Sequence, residues 1–137
     1  MRRDWDLIRK QLSDVEEEND LFSEIPPEPV LADQGWDTYE TQLEEYRGIE
    51  NRIGGHYELL VKSGYIDGLK VIRSSDGSFH YGTHSPRLTM AGHDLLDTMK
   101  TPSIWENIKV TAKTKGIELT FDAIKALGKL ALEGALN

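Results

Sequence analysis

Between residues 60 and 70 the spacing of apolar residues changes from helical to extended, and this change constrains the fold more than any other feature. Ile49, Ile53, Tyr57, Leu60 and Val61 recur at three- and four-residue intervals, which places them on one helical face. Gly64 follows the last of them and suits the left-handed conformation that ends a helix. Leu69-Lys70-Val71-Ile72-Arg73 then reads as a strand, and Phe79-His80-Tyr81-Gly82-Thr83 as its return. The turn cluster Ser74 to Ser78 holds Asp76-Gly77, a strong hairpin signal. His84-Ser85-Pro86 reads as loop, and Arg87-Leu88 as a brief pairing at the sheet edge.

The elements around this junction are helical. Trp5, Ile8, Leu12 and Val15 form one apolar stripe, predicting a helix from Asp4 to about Asn19 with Asp4 as N-cap. Its acidic end, Glu16-Glu17-Glu18, opposes the helix dipole. Pro26-Pro27-Glu28-Pro29 forbids a helix and makes residues 21–37 a connector, with a short edge strand expected at Val30-Leu31. Trp36 is expected to plug the core. Asp37 or Thr38 can cap a second helix, about Tyr39 to Arg47, and a third follows from about Ile49 to Ser63. Gly54-Gly55 lies within the third, as a close-packing point or a break.

After the hairpin, Thr89 caps a helix reaching about Met99. Thr101-Pro102 opens another that Gly116 ends. Thr120 caps the last, Phe121 to about Leu136, with Phe121, Ile124, Leu127 and Leu132 on or near one face. That face either completes the core or pairs two copies in a homodimer.

Helix, connector, helix, helix, hairpin, helices is the order of a winged helix. The expected fold is therefore α+β and mostly helical: a winged helix-turn-helix core over residues 1–100, a two-stranded wing, and a C-terminal helical extension over 101–137. At 137 residues the chain suits a single domain.

Composition removes several functions. With no cysteine there is no disulfide framework, thiol nucleophile or thiolate metal site. No apolar run approaches the roughly 18 residues of a membrane span, and Met1-Arg2-Arg3-Asp4-Trp5-Asp6 does not open a secretory signal. A cytoplasmic protein is expected. The four histidines, His56, His80, His84 and His93, lack ligand-like spacing, so no metal or other cofactor is expected. There is no nucleophile elbow, P-loop or dinucleotide fingerprint, and no catalytic residue is assigned.

What remains is binding. Arg47, Arg52, His56 and Lys62 surround the third helix, and Lys70, Arg73 and Arg87 lie in and around the wing. Arginines so placed can meet base edges or phosphates, which makes duplex DNA one expected partner. Charge opposes this. The chain carries −8 overall; residues 1–46 hold fourteen acids against four Lys/Arg, and residues 47–93 hold six Lys/Arg against four acids. Glu50 and Glu58 on the third helix repel a phosphate backbone. The alternative partner is a basic protein drawn to the acidic first third.

Two resemblances bear on this. His56-Tyr57-Glu58-Leu59-Leu60-Val61-Lys62-Ser63-Gly64-Tyr65-Ile66 resembles the end of a winged-helix recognition helix and its exit into the wing. More broadly, Arg3-Asp4-Trp5-Asp6-Leu7-Ile8-Arg9, Arg87-Leu88-Thr89-Met90-Ala91-Gly92-His93-Asp94-Leu95-Leu96-Asp97 and Ile104-Trp105-Glu106-Asn107-Ile108-Lys109 resemble a domain-of-unknown-function family of short phage and prophage proteins. The proline connector and Gly54-Gly55 depart from its pattern. This resemblance implies a winged-helix-like core and a mobile-element setting and lends no activity. Element order and charge together lead to the expected function, a non-enzymatic DNA-binding regulator or adaptor, with an acidic inhibitor of a host protein as the alternative.

Overall fold

The structure is a computed structural model that describes residues 2–136, and for residues 33, 135 and 136 the backbone alone. Helix α1 spans Trp5–Glu16, and the Asp4 carboxylate accepts from the Leu7 amide at 3.1 Å. Its stripe Leu7, Ile8, Leu12 and Val15 is buried. The acidic end that the dipole disfavours is offset by Lys100, which reaches Glu16 at 2.7 Å; the His93 ring lies 3.7 Å from the same carboxylate. His93 thus lies against a carboxylate on α1.

The connector folds back on the core through Phe22, which stacks on Tyr81 (4.1 Å between centroids) and meets Tyr57 edge-on. No strand forms at Val30-Leu31. Residue 30 is extended, but Leu31–Asp33 closes into one 3₁₀ turn. The preceding prolines leave few amide donors for a ladder there.

Helix α2 spans Trp36–Lys62 without interruption. Two helices meeting near residues 47–49 were expected, and this is the main correction to the predicted elements. The only breaker at that point is Gly48, which costs about 1 kcal/mol in a helix interior, too little to stop two good helical segments from fusing. Gly35, not Asp37 or Thr38, occupies the N-cap position. Trp36 is 58% exposed at the first turn and plugs nothing. Gly54 of the Gly54-Gly55 pair is a close-packing point, not a break. A Cβ on Gly54 would lie 2.5 Å from the Tyr81 hydroxyl and 3.1 Å from the Phe79 ring.

Gly64 (φ +81°) ends α2, and strands β1 (Ile66–Arg73) and β2 (Phe79–Leu88) pair antiparallel. Val71 faces Tyr81 and Arg73 faces Phe79. Arg87-Leu88 pairs as expected, opposite Asp67 and Ile66, so that β1 begins at Ile66, three residues before the predicted strand. The expected loop 84–86 is a bulge opposite Gly68, where a side chain would strike the carbonyls of His84 and Ser85.

Helix α3 (Met90–Met99) starts under the end of α2. Thr89 accepts from the Gly92 amide at 3.1 Å and donates to the Gly64 carbonyl at 2.6 Å. Gly92 packs directly on the Tyr65 carbonyl. Helix α4 (Pro102–Lys115) ends at left-handed Gly116, and α5 (Phe121–Leu136) begins where Thr120 accepts from the Ala123 amide. Helix α5 packs on α3 and α4 through Ile124 and Leu127, with Gly128 seated against Thr98. Leu132, expected on or near that inner face, is instead exposed. One cluster of buried residues runs from Ile8 and Leu12 through Tyr57, Leu60 and Leu96 to Trp105, Ile108 and Ile124. The architecture is α+β, with five α-helices and one two-stranded antiparallel sheet among the described residues.

Candidate functional site

The seven residues assigned to a binding face do not form one face. Arg52 pairs with Asp4. Arg73 lies 3.1 Å from Glu58, with its guanidinium over the Phe79 ring, and Lys62 is 3.8 Å from the same glutamate. Arg87 pairs with Asp67 at 2.8 Å near the hairpin base, beside Val15, Leu21 and Pro86. Arg47 and Lys70 are exposed and make no ion pair among the described residues, but Lys70 lies beside Gly82 and His84, away from the others. The two glutamates on α2 have separate tasks. Glu58 neutralises Arg73. Glu50 is buried, accepting from the Phe79 amide (3.0 Å) and the Tyr46 hydroxyl (2.6 Å), and so ties the start of β2 to α2.

His56 is buried and both of its ring nitrogens are engaged by backbone groups. It is 1% exposed; its Nε2 accepts from the Asp4 amide at 2.9 Å, and its Nδ1–H donates to the Arg52 carbonyl at 2.7 Å. Because a backbone amide can only donate, the other ring nitrogen must carry the proton. His56 therefore locks the segment before α1 onto α2.

Three of the seven, Arg52, His56 and Arg73, line one recess of about 880 Å³. Its other walls come from Arg2, Arg3, Asp4, Trp5 and Asp6 ahead of and within the first turn of α1, and from Lys109 on α4. Asp6 is the junction: it accepts from Trp105 Nε1 at 2.8 Å and from Lys109 at 2.9 Å. Trp5 Nε1 donates to the Leu119 carbonyl. Partial burial raises the carboxyls of Asp4 and Asp6, but their donors outweigh it. The Leu7 amide and Arg52 hold Asp4, and Trp105 and Lys109 hold Asp6, below the ordinary carboxylate range. The sequence reading missed Arg2, Arg3 and Lys109, although two of its three resembling stretches supply this wall.

A second surface is acidic. Residues 11–46 contain twelve acids and no lysine or arginine. They cover the end of α1, the connector and the first part of α2, where no residue before Glu50 is buried. Val30, Leu31 and Trp36 are exposed along this stretch. Among the described residues, no group of three or more His, Asp or Glu could hold a metal ion, and no helix is long and apolar enough to cross a membrane.

Fold and surface together define an α+β protein whose central helix runs into a hairpin, with ion-paired cations on one side and an acidic arm on another. The chain belongs to the family described as Hypothetical protein (DUF2513), which matches residues 2–118. It is also similar to a Haemophilus influenzae protein described as an uncharacterized protein, 26% identical over 136 residues and covering 99% of each chain. No solved structure matches it.

Proposed function

We propose that this is a non-enzymatic winged-helix-type binding protein whose partner is a basic protein. The carrying observation is a contrast in how charge is used. On α2 and the hairpin, Arg52, Arg73 and Arg87 are each matched to a carboxylate. On the arm of residues 11–46, twelve acids have no Lys or Arg in the same stretch; Lys10 and Lys100 reach Asp14, Glu24 and Glu16 from outside it, and exposed Val30, Leu31 and Trp36 lie along it. Apolar anchors within a charged surface are the usual make-up of a protein interface, and the field attracts a partner of opposite sign. The winged-helix part of the reading rests on α2 running directly into the hairpin and packing against it; the expected turn between a second and a third helix is replaced by the continuous α2. The phage or prophage setting, in the cytoplasm of a bacterial host, rests on the resemblance described above.

A second reading, a DNA-binding regulator, is favoured by exposed Arg47 and Lys70 on the recognition-helix and wing elements. The two readings separate by mutation. The protein reading expects one host protein to be retained by the immobilised chain, released by salt, and lost on Trp36→Ala with Glu40→Lys and Glu44→Lys. Retention unchanged by those substitutions refutes it.

A further inference from the structure

We infer that the recess at the start of α1 is a binding site for a phosphorylated small molecule of about mononucleotide size. Five of the chain's sixteen lysines and arginines converge there: Arg2, Arg3, Arg52, Arg73 and Lys109. Only two carboxylates, Asp4 and Asp6, share the lining, in a chain where acids outnumber Lys/Arg by 24 to 16. Arg2 and Arg3 make no ion pair among the described residues, although Arg3 lies over the Trp5 ring. The lining thus carries five cations against two carboxylates, and a cleft with such an excess of one sign concentrates counter-ions of the other.

The cations are held in place from three directions. Asp4 fixes Arg52 on α2, Glu58 and the Phe79 ring fix Arg73 at the end of β1, and Asp6 and Glu106 fix Lys109 on α4. Pre-positioned guanidinium groups suit phosphate oxygens, which they bind in bidentate fashion. The recess also opens on the N-terminal end of α1, a twelve-residue helix whose dipole adds positive potential there. Its volume of about 880 Å³ far exceeds one phosphate group and falls in the range of small-molecule sites. Gly48, His56, Trp5, Asn51 and Leu119 complete the lining, and the last three offer contacts to the rest of such a ligand.

The site differs from the acidic arm in place and in charge, so each can fail without the other. The test is calorimetric titration of the full chain at low salt with pyrophosphate, AMP, adenosine and a short duplex DNA. Pyrophosphate and AMP are expected to bind saturably, AMP more tightly, and adenosine not at all. Arg2→Gln with Arg3→Gln is expected to weaken AMP binding several-fold, and Arg52→Gln with Arg73→Gln at least tenfold. Lys113→Gln with Lys129→Gln, outside the recess, should leave it unchanged. Arg2 and Arg3 join no ion pair of the fold, so their variant decides the question even if the second pair does not fold. The inference is overturned if neither phosphate compound binds, if adenosine binds as well as AMP, or if the control pair weakens binding as much as the arginine pairs. Duplex binding without AMP binding overturns it as well.

Discussion

The backbone amide of Asp4 donates to Nε2 of His56 at 2.9 Å, joining the residue that caps α1 to the buried face of α2 across 52 positions of sequence. The same ring donates back to the Arg52 carbonyl, and Arg52 pairs with the Asp4 carboxylate. Asp4 is therefore held by its backbone and its side chain at once.

Replacing His56 by Leu should lower stability by about 1–3 kcal/mol, because the Asp4 amide is left without an acceptor in a part-buried place. Arg52→Ala, which breaks an exposed ion pair, should cost less than about 1 kcal/mol. Urea denaturation of the two variants checks the order. Equal losses would mean that the histidine is only filling space.

The continuity of α2 gives a prediction of unusual sign. An added Cβ on Gly48 meets nothing within 4 Å. Gly48→Ala should therefore stabilise the protein by about 0.5–1 kcal/mol, as expected in an open helix interior. A turn at this point, with the glycine in a conformation alanine disfavours, would give a loss instead. Gly92→Ala is the counterpart: its Cβ would enter the Tyr65 carbonyl, and the loss should reach about 1–3 kcal/mol.

Tyr46 reports on the buried Glu50 carboxylate. The hydrogen bond to Glu50, aided by burial, pushes the Tyr46 phenol from 10.0 up to about 12. A folded-state value above the unfolded one adds stability below the unfolded pKa. That stability is lost as pH rises from about 10 toward 12. Tyr46→Phe should flatten this part of the alkaline stability profile. Glu50→Gln should bring the Tyr46 titration, followed by tyrosinate absorbance, back toward 10.0. An unmoved titration would show that burial alone raises the phenol.

Much of the fold is legible in the sequence because local chemistry sets it. Thr89, Thr120 and Gly116 act as the caps and stop that their residue types suggest, and Asp76-Gly77 makes the hairpin turn. The failures are those where a local preference is weak. Gly48 carries too small a penalty to break a helix, and Val30-Leu31 has strand-forming residues but no ladder to join. Trp36 looks like a core residue by type, yet nothing in its neighbourhood encloses it. The site was half legible. Arg52 and Arg73 are visible as cations on the expected elements, but their partners Asp4 and Glu58 follow only from the approach of α1 and the hairpin to α2. Arg2, Arg3 and Lys109 lie far from them in sequence, and only the three-dimensional path of the chain brings them to one recess.

The central claim is that the cations on the helix and hairpin form no continuous outward face for duplex DNA: Arg52 and Arg73 turn into one recess, and Arg87 is matched to Asp67 elsewhere. The most direct measurement is fluorescence anisotropy of labelled duplex DNA, including the region upstream of the coding sequence, titrated with the protein at low salt. The account predicts no saturable binding, and no change on Arg47→Ala with Lys70→Ala. Saturable, salt-sensitive binding that those two substitutions abolish would contradict it.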